Sequence, residues 1–421
     1  MGNINYFNLF RVFILGIASG LPIVLVLSTF SVWLFELDVS KTTIGLFALA
    51  TVPYSIKFLW SPFVDGISLP ILNKLLGHRK SWLIISQIGL ITAIILLAII
   101  DHQNHLFFSA IVILVITFFS ATQDIIIDAY RIELARDEEQ GIFATFVIYG
   151  YRIGMLISGA GALFLASYLN WSTVYFIMAL IISVISIIAL TFPDTGHKIK
   201  NHDHDIHKWC NNYLISPFTN FAKNENFILI LLFIVLYKFG DAFAGVMTNP
   251  FLLENGFNKI DIASIVKTIG LVFTLVGLSV GGVIVAKFNL KNILIFCGII
   301  QALSNLVFCL QVYFPGNVNY LMITIGFENL AGAMGTVAFV AFISKLCNIN
   351  YTATQYALLS SLAAVGRTVF SSGAGIVADS YNWILFFIIS SIVAIPGIII
   401  LFFLNDKNFI LKNENRNSKG N

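Results

Sequence analysis

Nine ionisable residues lie inside long apolar runs of this chain: Lys57, Arg152, Lys238, Lys267 and Arg367, and against them Asp124, Asp128, Asp241 and Glu328. A charge at the centre of a membrane helix costs roughly 2.5–3.5 kcal/mol on insertion scales, so each needs a reason to be there. Five bases against four acids suggests pairing across a polar interior. Lys238 and Asp241 stand three apart and share a helical face, where they could neutralise each other or couple charge to movement. Glu328 has no basic neighbour within one turn along its own helix. It is a candidate to carry a proton, because an unpaired carboxylate is costly to bury. Arg152 and Arg367 sit about ten and fourteen residues into their runs, near mid-depth at about 1.5 Å per residue. Their planar guanidinium forks suit carboxylates. Lys267 lies near the end of its run, where a lysine can snorkel.

The stretch "TQDIIIDAYRIEL" sets a second pattern, with Asp124 and Asp128 one turn apart and Arg131 and Glu133 following. Counted from Leu106, Asp128 is reached after roughly 34 Å, the edge of a bilayer core. The two acids are therefore expected to serve different ends. Asp128, Arg131 and Glu133 are assigned to a charge network with Asp65, Arg79 and Lys80 that latches one face of the membrane. Asp124 lies about 6 Å deeper on the same helical face. With Gln123, and with Lys57 as its expected partner, it is assigned to a buried polar path together with Arg152, Lys238, Asp241, Glu328 and Arg367.

Elements that would hold these residues follow from composition. The 421 residues are 58% hydrophobic and 11% charged, with mean hydropathy +0.89. Soluble domains carry about 25% charged residues, so lipid must solvate most of this surface. Apolar runs of about 20 residues can span a bilayer. Twelve are present: Arg11–Phe35, Thr42–Val64, Trp82–Ile100, Leu106–Asp128, Ile142–Ser167, Ser172–Phe192, Phe227–Leu253, Ile262–Ala286, Asn292–Val312, Tyr320–Lys345, Ala353–Ala378 and Trp383–Leu404. The first run is longer than a signal-peptide core and should remain as a span. Of the 24 Lys and Arg residues, seventeen fall on one side of the expected topology and two, Lys41 and Lys259, on the other. That bias predicts both termini in the cytoplasm. A net charge of +3 gives no reason to expect nucleic acid, and the four scattered cysteines form no zinc or disulfide pattern.

The chain also echoes itself. "YRIGMLISGAG" in the fifth run and "GRTVFSSGAG" in the eleventh each carry an Arg, then SGAG, then a Trp that opens the next run (Trp171, Trp383). These spans run in the same direction, so the halves form a parallel pseudo-repeat, 1–192 and 227–404, joined by a linker at 193–226 and followed by a polar tail at 405–421. An all-α integral membrane protein of two six-helix halves is the major facilitator architecture. The His-rich "HDHDIH" (His202–His207) reads as solvated linker, since no second ligand cluster would fix a metal geometry. Helix breaks are predicted at "GLP" (Gly20–Pro22), "VPYSIKFLWSP" (Val52–Pro62) and "TNPF" (Thr248–Phe251). Tyr54, Trp60 and Tyr149 could offer faces to a sugar ring. No HExxH or GxSxG motif is present, and an enzyme is not expected.

Across helices one to five and ten to eleven, the segments "GIASGLP", "TIGLFAL", "PYSIKFLWSPFVD", "GHRKSW", "SATQDIIIDAYR", "GYRIGMLISG", "FENLAGAMGT" and "TATQYALLSSLAAVGR" carry a more specific likeness. By these the chain resembles the muropeptide permease (AmpG-type) family of the major facilitator superfamily. The resemblance implies a bacterial inner-membrane importer of N-acetylglucosamine–anhydro-N-acetylmuramyl peptides, driven by proton symport, for peptidoglycan recycling. It implies no cofactor, and muropeptide, protons and membrane lipid as partners of a monomer. Any of Glu328, Asp124 and Asp241 could be the titrating carboxyl. Acetyl-CoA carriers look similar over several of these segments, so acetyl-CoA or a nucleotide-linked metabolite is the alternative cargo. The balanced set of buried charges argues against such multiply anionic cargo.

Overall fold

A computed structural model of the chain describes residues 5–195, 206–405 and Phe409. Twelve of its helices are long and apolar enough to cross a membrane. They are helix 1 (Tyr6–Glu36), helix 2 (Lys41–Leu59), helix 3 (His78–Ile99), helix 4 (Leu106–Leu134), helix 5 (Asp137–Ala166), helix 6 (Trp171–Leu190), helix 7 (Phe227–Glu254), helix 8 (Ser264–Lys287), helix 9 (Leu290–Tyr313), helix 10 (Val318–Leu346), helix 11 (Ile349–Ser380) and helix 12 (Trp383–Phe403). Each coincides with one of the apolar runs read from the sequence. Residues 202–205 of the His-rich run, the side chain of Lys267 and all of the polar tail beyond Asn405 except Phe409 lie outside the described residues.

The helices gather into two compact units. The first comprises Met1–Arg136, Phe146–Phe218 and Asn348–Ser361; the second comprises Asp137–Thr145, Thr219–Cys347 and Leu362–Asn421. Close helix packing in the first rests on glycine. Gly16 and Gly20 of helix 1 meet Gly150 and Gly154 of helix 5. A Cβ at Gly20 would fall 2.0 Å from the Tyr151 carbonyl oxygen, and one at Gly150 would fall 2.0 Å from that of Phe13. Without a hydrophobic drive in lipid, such backbone contact supplies the dispersion that holds spans together. In the second unit Gly277 of helix 8 plays this part against Leu330 of helix 10, where a Cβ would come within 2.5 Å of the carbonyl oxygen.

The internal repeat takes structural form at two junctions. Asn170 caps helix 6 by accepting from the Thr173 N–H, and Trp171 Nε1 donates to Glu36 at 2.6 Å. Asn382 caps helix 12 by accepting from the Leu385 N–H, and Trp383 Nε1 donates to Glu254 at 2.8 Å. The repeated SGAG interrupts its helix in both halves. It forms a π-turn at Ile157–Gly161 in helix 5, and in helix 11 it falls at the gap between Thr352–Ser371 and Ala374–Ser380.

One of the three predicted breaks, that in helix 2, is present where expected, and the first is displaced. Helix 1 runs through Pro22 and then relaxes into a π-turn at Leu25–Thr29. Helix 2 is broken by 3-10 turns at Phe47–Thr51 and Lys57–Leu59. The third falls elsewhere. The helix continues through Pro250, and helix 7 is interrupted instead at Tyr237–Lys238. Helix 12 presses on that point: a Cβ at Gly397 would come within 2.9 Å of the Tyr237 Cα.

The connector after helix 6 is less solvated than its composition suggests. Ile206–Trp209 and Cys210–Ile215 are helical. Trp209 Nε1 donates to the Gly66 carbonyl at 3.1 Å, and Tyr213 is buried over Gly66. Its aromatic residues give this part of the connector an apolar face to bury.

Candidate functional site

In the first unit, helices 1, 2 and 4 assemble a polar site inside the apolar span. Asp124 Oδ1 accepts from Ser19 Oγ at 2.6 Å. One turn earlier on helix 4, Ser120 accepts from Tyr54 Oη at 2.8 Å, and Thr122 accepts from Trp60 Nε1 at 3.1 Å. Hydroxyls of helix 4 thus fix the orientation of two aromatic rings, one within helix 2 and one just after it. Lys57 reaches Asp128 at 3.9 Å rather than forming the expected pair with Asp124, and Arg131 reaches Asp128 at 3.8 Å. The 3-10 turn at Lys57–Leu59 carries this lysine. Gln123 also differs from expectation. It is fully buried, donates to the Ala18 carbonyl at 2.8 Å and accepts from Gln87 at 3.4 Å. The residue ties helices 1, 3 and 4 together.

The expected charge network forms in part. Arg79 Nη2 donates to Asp65 Oδ1 at 2.8 Å and to Glu133 Oε1 at 2.6 Å, with all three side chains almost completely buried. Arg79 Nε adds a bond to Glu133 at 3.0 Å, so the guanidinium meets that carboxylate as a fork. Thr195 Oγ1 donates to the other oxygen of Glu133 at 2.6 Å. Asp65 Oδ2 accepts from the Thr354 backbone N–H at 2.8 Å and its hydroxyl at 2.7 Å. Thr354 lies in the first turn of the helical segment Thr352–Ser371, whose N-terminal N–H groups and dipole favour an anion there. Of the other expected members, Asp128 and Arg131 meet each other and Lys80 is held elsewhere. Lys80 donates to the Leu190 carbonyl at 3.5 Å, and Asp128 is engaged by Lys57 and Arg131.

In the second unit Lys238 and Asp241 form the expected pair, at 3.1 Å. Lys238 Nζ also donates to Gln301 Oε1 and to the Gly332 carbonyl, each at 3.0 Å. Glu328 accepts from the Asn329 amide at 2.8 Å, and Asn329 accepts from Thr274 of helix 8 at 3.0 Å. Arg152 and Arg367 have exposed side chains in their respective units. Among the described residues Arg152 makes no hydrogen bond or ion pair.

Sequence reasoning missed Ser19, Thr195, Gln301 and Thr354. One signal was available for Gln301. It lies 214 residues after Gln87, the offset that separates the two SGAG motifs at Ser158 and Ser372. The other three are ordinary polar residues whose partners lie far away along the chain.

The sequence profile of the Major Facilitator Superfamily matches residues 12–258 and, a second time, residues 230–419. The anhydromuropeptide permease of Escherichia coli K12 is 38% identical over 390 residues, covering 92% of this chain and 78% of that one. The chain belongs to the AmpG-type muropeptide permease family of the major facilitator superfamily. A Rickettsia felis transporter named AmpG 4 is 39% identical over 404 residues, covering 95% of this chain and 97% of its own. The solved E. coli fucose:proton symporter FucP superposes with a TM-score of 0.70 at 14% identity, covering 94% of this permease and 98% of its own chain. The proton:xylose symporter XylE gives 0.68 at 14% identity, with 95% and 96% covered. At such identities the two symporters establish the fold alone. This permease is therefore a multi-pass inner-membrane transporter with a small-molecule substrate, and not an enzyme.

Proposed function

We propose that this permease imports anhydromuropeptides, N-acetylglucosamine–anhydro-N-acetylmuramyl peptides, into the cytoplasm by proton symport, supplying peptidoglycan recycling. The observation that carries the reading is the 38% identity to the E. coli anhydromuropeptide permease across 92% of this chain. The site chemistry suits such cargo. Tyr54 and Trp60 are held by hydroxyls of helix 4, and aromatic faces of this kind pack against sugar rings. Arg152 presents an accessible guanidinium for a carboxylate. Asp124, Lys238, Asp241, Glu328 and Arg367 complete the proposed path for substrate and protons.

The same proposal places both termini in the cytoplasm, on the strength of the Lys and Arg bias. It assigns Asp65, Arg79 and Glu133, with Thr354, to a latch at the cytoplasmic face. It also divides the chain functionally into halves at 1–192 and 227–404, joined by 193–226, and takes the transporter as a monomer in lipid.

Uptake by proteoliposomes tests this directly. Vesicles are offered labelled anhydromuropeptide, free sugars and acetyl-CoA, with and without an inward proton gradient. Anhydromuropeptide uptake stimulated by the gradient is expected. Selective uptake of acetyl-CoA would replace the cargo assignment, and uptake indifferent to the gradient would remove the coupling. Arg152→Ala and Arg367→Ala are expected to impair uptake while inserting normally; normal uptake by both would take them off the path.

A further inference from the structure

Within the first unit the connector grips both sides of the bond between Asp65 and Thr354. Trp209 Nε1 donates to the carbonyl of Gly66, the residue after Asp65, at 3.1 Å. Nε2 of Gln355, the residue after Thr354, donates to the carbonyl of Pro217 at 2.9 Å. The stretch 209–217 therefore holds the immediate neighbour of each partner.

The grip is closely fitted. The Tyr213 ring lies against Gly66, where a Cβ would fall 2.5 Å from the ring's Cγ, so only glycine admits it. The Trp209 indole stacks on Phe63, with centroids 5.5 Å apart and planes 21° from parallel, and meets Tyr213 at 5.8 Å. Gly66 ends the short helix Ser61–Gly66, so its carbonyl has no donor within that helix, and Trp209 supplies one. Gln355 is buried and also accepts from the Asn348 N–H at 2.7 Å, so its amide ties the connector to the start of helix 11. The root of the connector is fastened to the same network. The Pro193 carbonyl accepts from Tyr130 Oη at 3.0 Å, and Thr195 donates to Glu133 at 2.6 Å.

Parting Asp65 from Thr354 moves Gly66 away from Gln355, so the connector must release one of them. A buried polar group left without its partner is costly. The grip therefore stabilises the bond, and the bond stabilises the grip.

We infer that the segment 209–217 is a clip on the latch: docked, it holds Asp65 to Thr354, and it must come off Gly66 or Gln355 before the inner face opens. The inference rests on the latch assigned above. Trp209, Tyr213 and Gln355 are positioning residues for transport, which act on the latch and not on the cargo.

Hydrogen exchange of the purified full chain, read by mass spectrometry, tests the clip without any cargo. Protected amides exchange through local openings, so their rates report how often the latch parts. Trp209→Phe keeps a ring on Phe63 and loses the donor. It is expected to speed exchange across 352–358 about fivefold, the worth of one hydrogen bond. Tyr213→Ala, which takes the ring off Gly66, should speed it further. Coupling between two sites is reciprocal, so Thr354→Val should speed exchange across 209–217 by about the same factor, fivefold. Ile215, on the connector but 53% exposed, supplies the control: Ile215→Ser should leave 352–358 at the wild-type rate. Rates across 352–358 within about twofold of wild type in Trp209→Phe, the scatter of ordinary surface substitutions, would overturn the inference. Equal acceleration by Ile215→Ser would also overturn it, as would an unchanged connector in Thr354→Val. Trp209→Phe decides if Tyr213→Ala does not fold. In proteoliposomes Trp209→Phe should alter the maximal rate of anhydromuropeptide uptake and leave the half-saturating concentration unchanged; an effect on half-saturation alone would contradict a clip that touches no cargo. Wild-type vesicles that move no anhydromuropeptide refute the import reading, while the exchange rates still decide the clip.

Discussion

One oxygen of Asp65 accepts both the backbone N–H and the hydroxyl of Thr354, 289 residues further along the chain, while the other oxygen holds Arg79. The carboxylate joins the short helix Ser61–Gly66, which follows helix 2, to the start of helix 11 and at the same time balances a buried guanidinium. Breaking a buried pair by removing one partner typically costs about 3–5 kcal/mol, because the other charge is left behind. Asp65→Ala should therefore sharply lower the unfolding midpoint of the purified protein in detergent. Thr354→Val, which removes a hydroxyl and keeps the backbone N–H, should cost only about 1 kcal/mol. Equal midpoints for the two variants would contradict this account.

The glycine crossing of helices 1 and 5 makes a steric prediction. A methyl group at Gly20 would stand 2.0 Å from the Tyr151 carbonyl oxygen, so Gly20→Ala must push the two backbones apart. The variant should give little folded protein on size-exclusion chromatography. Gly45 is the control, since a Cβ there meets nothing within 4 Å. Gly45→Ala should be neutral or stabilising by roughly 0.5–1 kcal/mol, the ordinary gain for alanine within a helix.

The paired junctions at Trp171 and Trp383 should respond alike. Each indole donates to an exposed glutamate that ends the first helix of its half. Trp171→Phe and Trp383→Phe keep the ring contacts and lose the bond, an expected cost of about 1 kcal/mol apiece. Thermal melts of the two variants check this, and a large cost at one site alone would show that the junctions are not equivalent.

His102, in the loop between helices 3 and 4, pairs through Nδ1 with Ser109 Oγ at 2.7 Å and lies edge-on to Trp33 at 4.3 Å. Burial pushes its pKa down to about 4, against a weaker upward pull from Asp101 and a backbone bond. In the unfolded chain the ring titrates near 6.5. Between about pH 6.5 and 4 the unfolded state binds the proton and the folded state does not, so stability falls as pH falls through that window. His102→Gln should flatten this part of the melting profile. An unchanged pH slope in the variant would show that the loss originates elsewhere.

Much of the architecture is legible in the sequence. Hydropathy gave all twelve spans, because bilayer thickness dictates a minimum apolar length and lipid tolerates little else. The Lys238–Asp241 pair was legible for a local reason: three residues along one helix bring two side chains together whatever else packs nearby. The clash of expectation with structure came where spans meet. Lys57 goes to Asp128 and not Asp124, and a 3-10 turn at Lys57–Leu59 carries it. Helix 7 is interrupted at Tyr237–Lys238 under Gly397 and runs unbroken through Pro250, so contact with helix 12 outweighed a local breaker.

The sequence by itself determined the twelve apolar spans, the repeated Arg, SGAG and Trp, and which charges would lie in apolar surroundings. Those properties depend on transfer energies and on neighbours within a turn. Tertiary structure alone decided partners: Ser19 for Asp124, Thr354 for Asp65, and the Gln301 and Gly332 oxygens for Lys238. Such pairs join helices far apart in the chain. Their geometry is set by how closely the backbones pack, down to single glycines such as Gly335, and no local pattern records it.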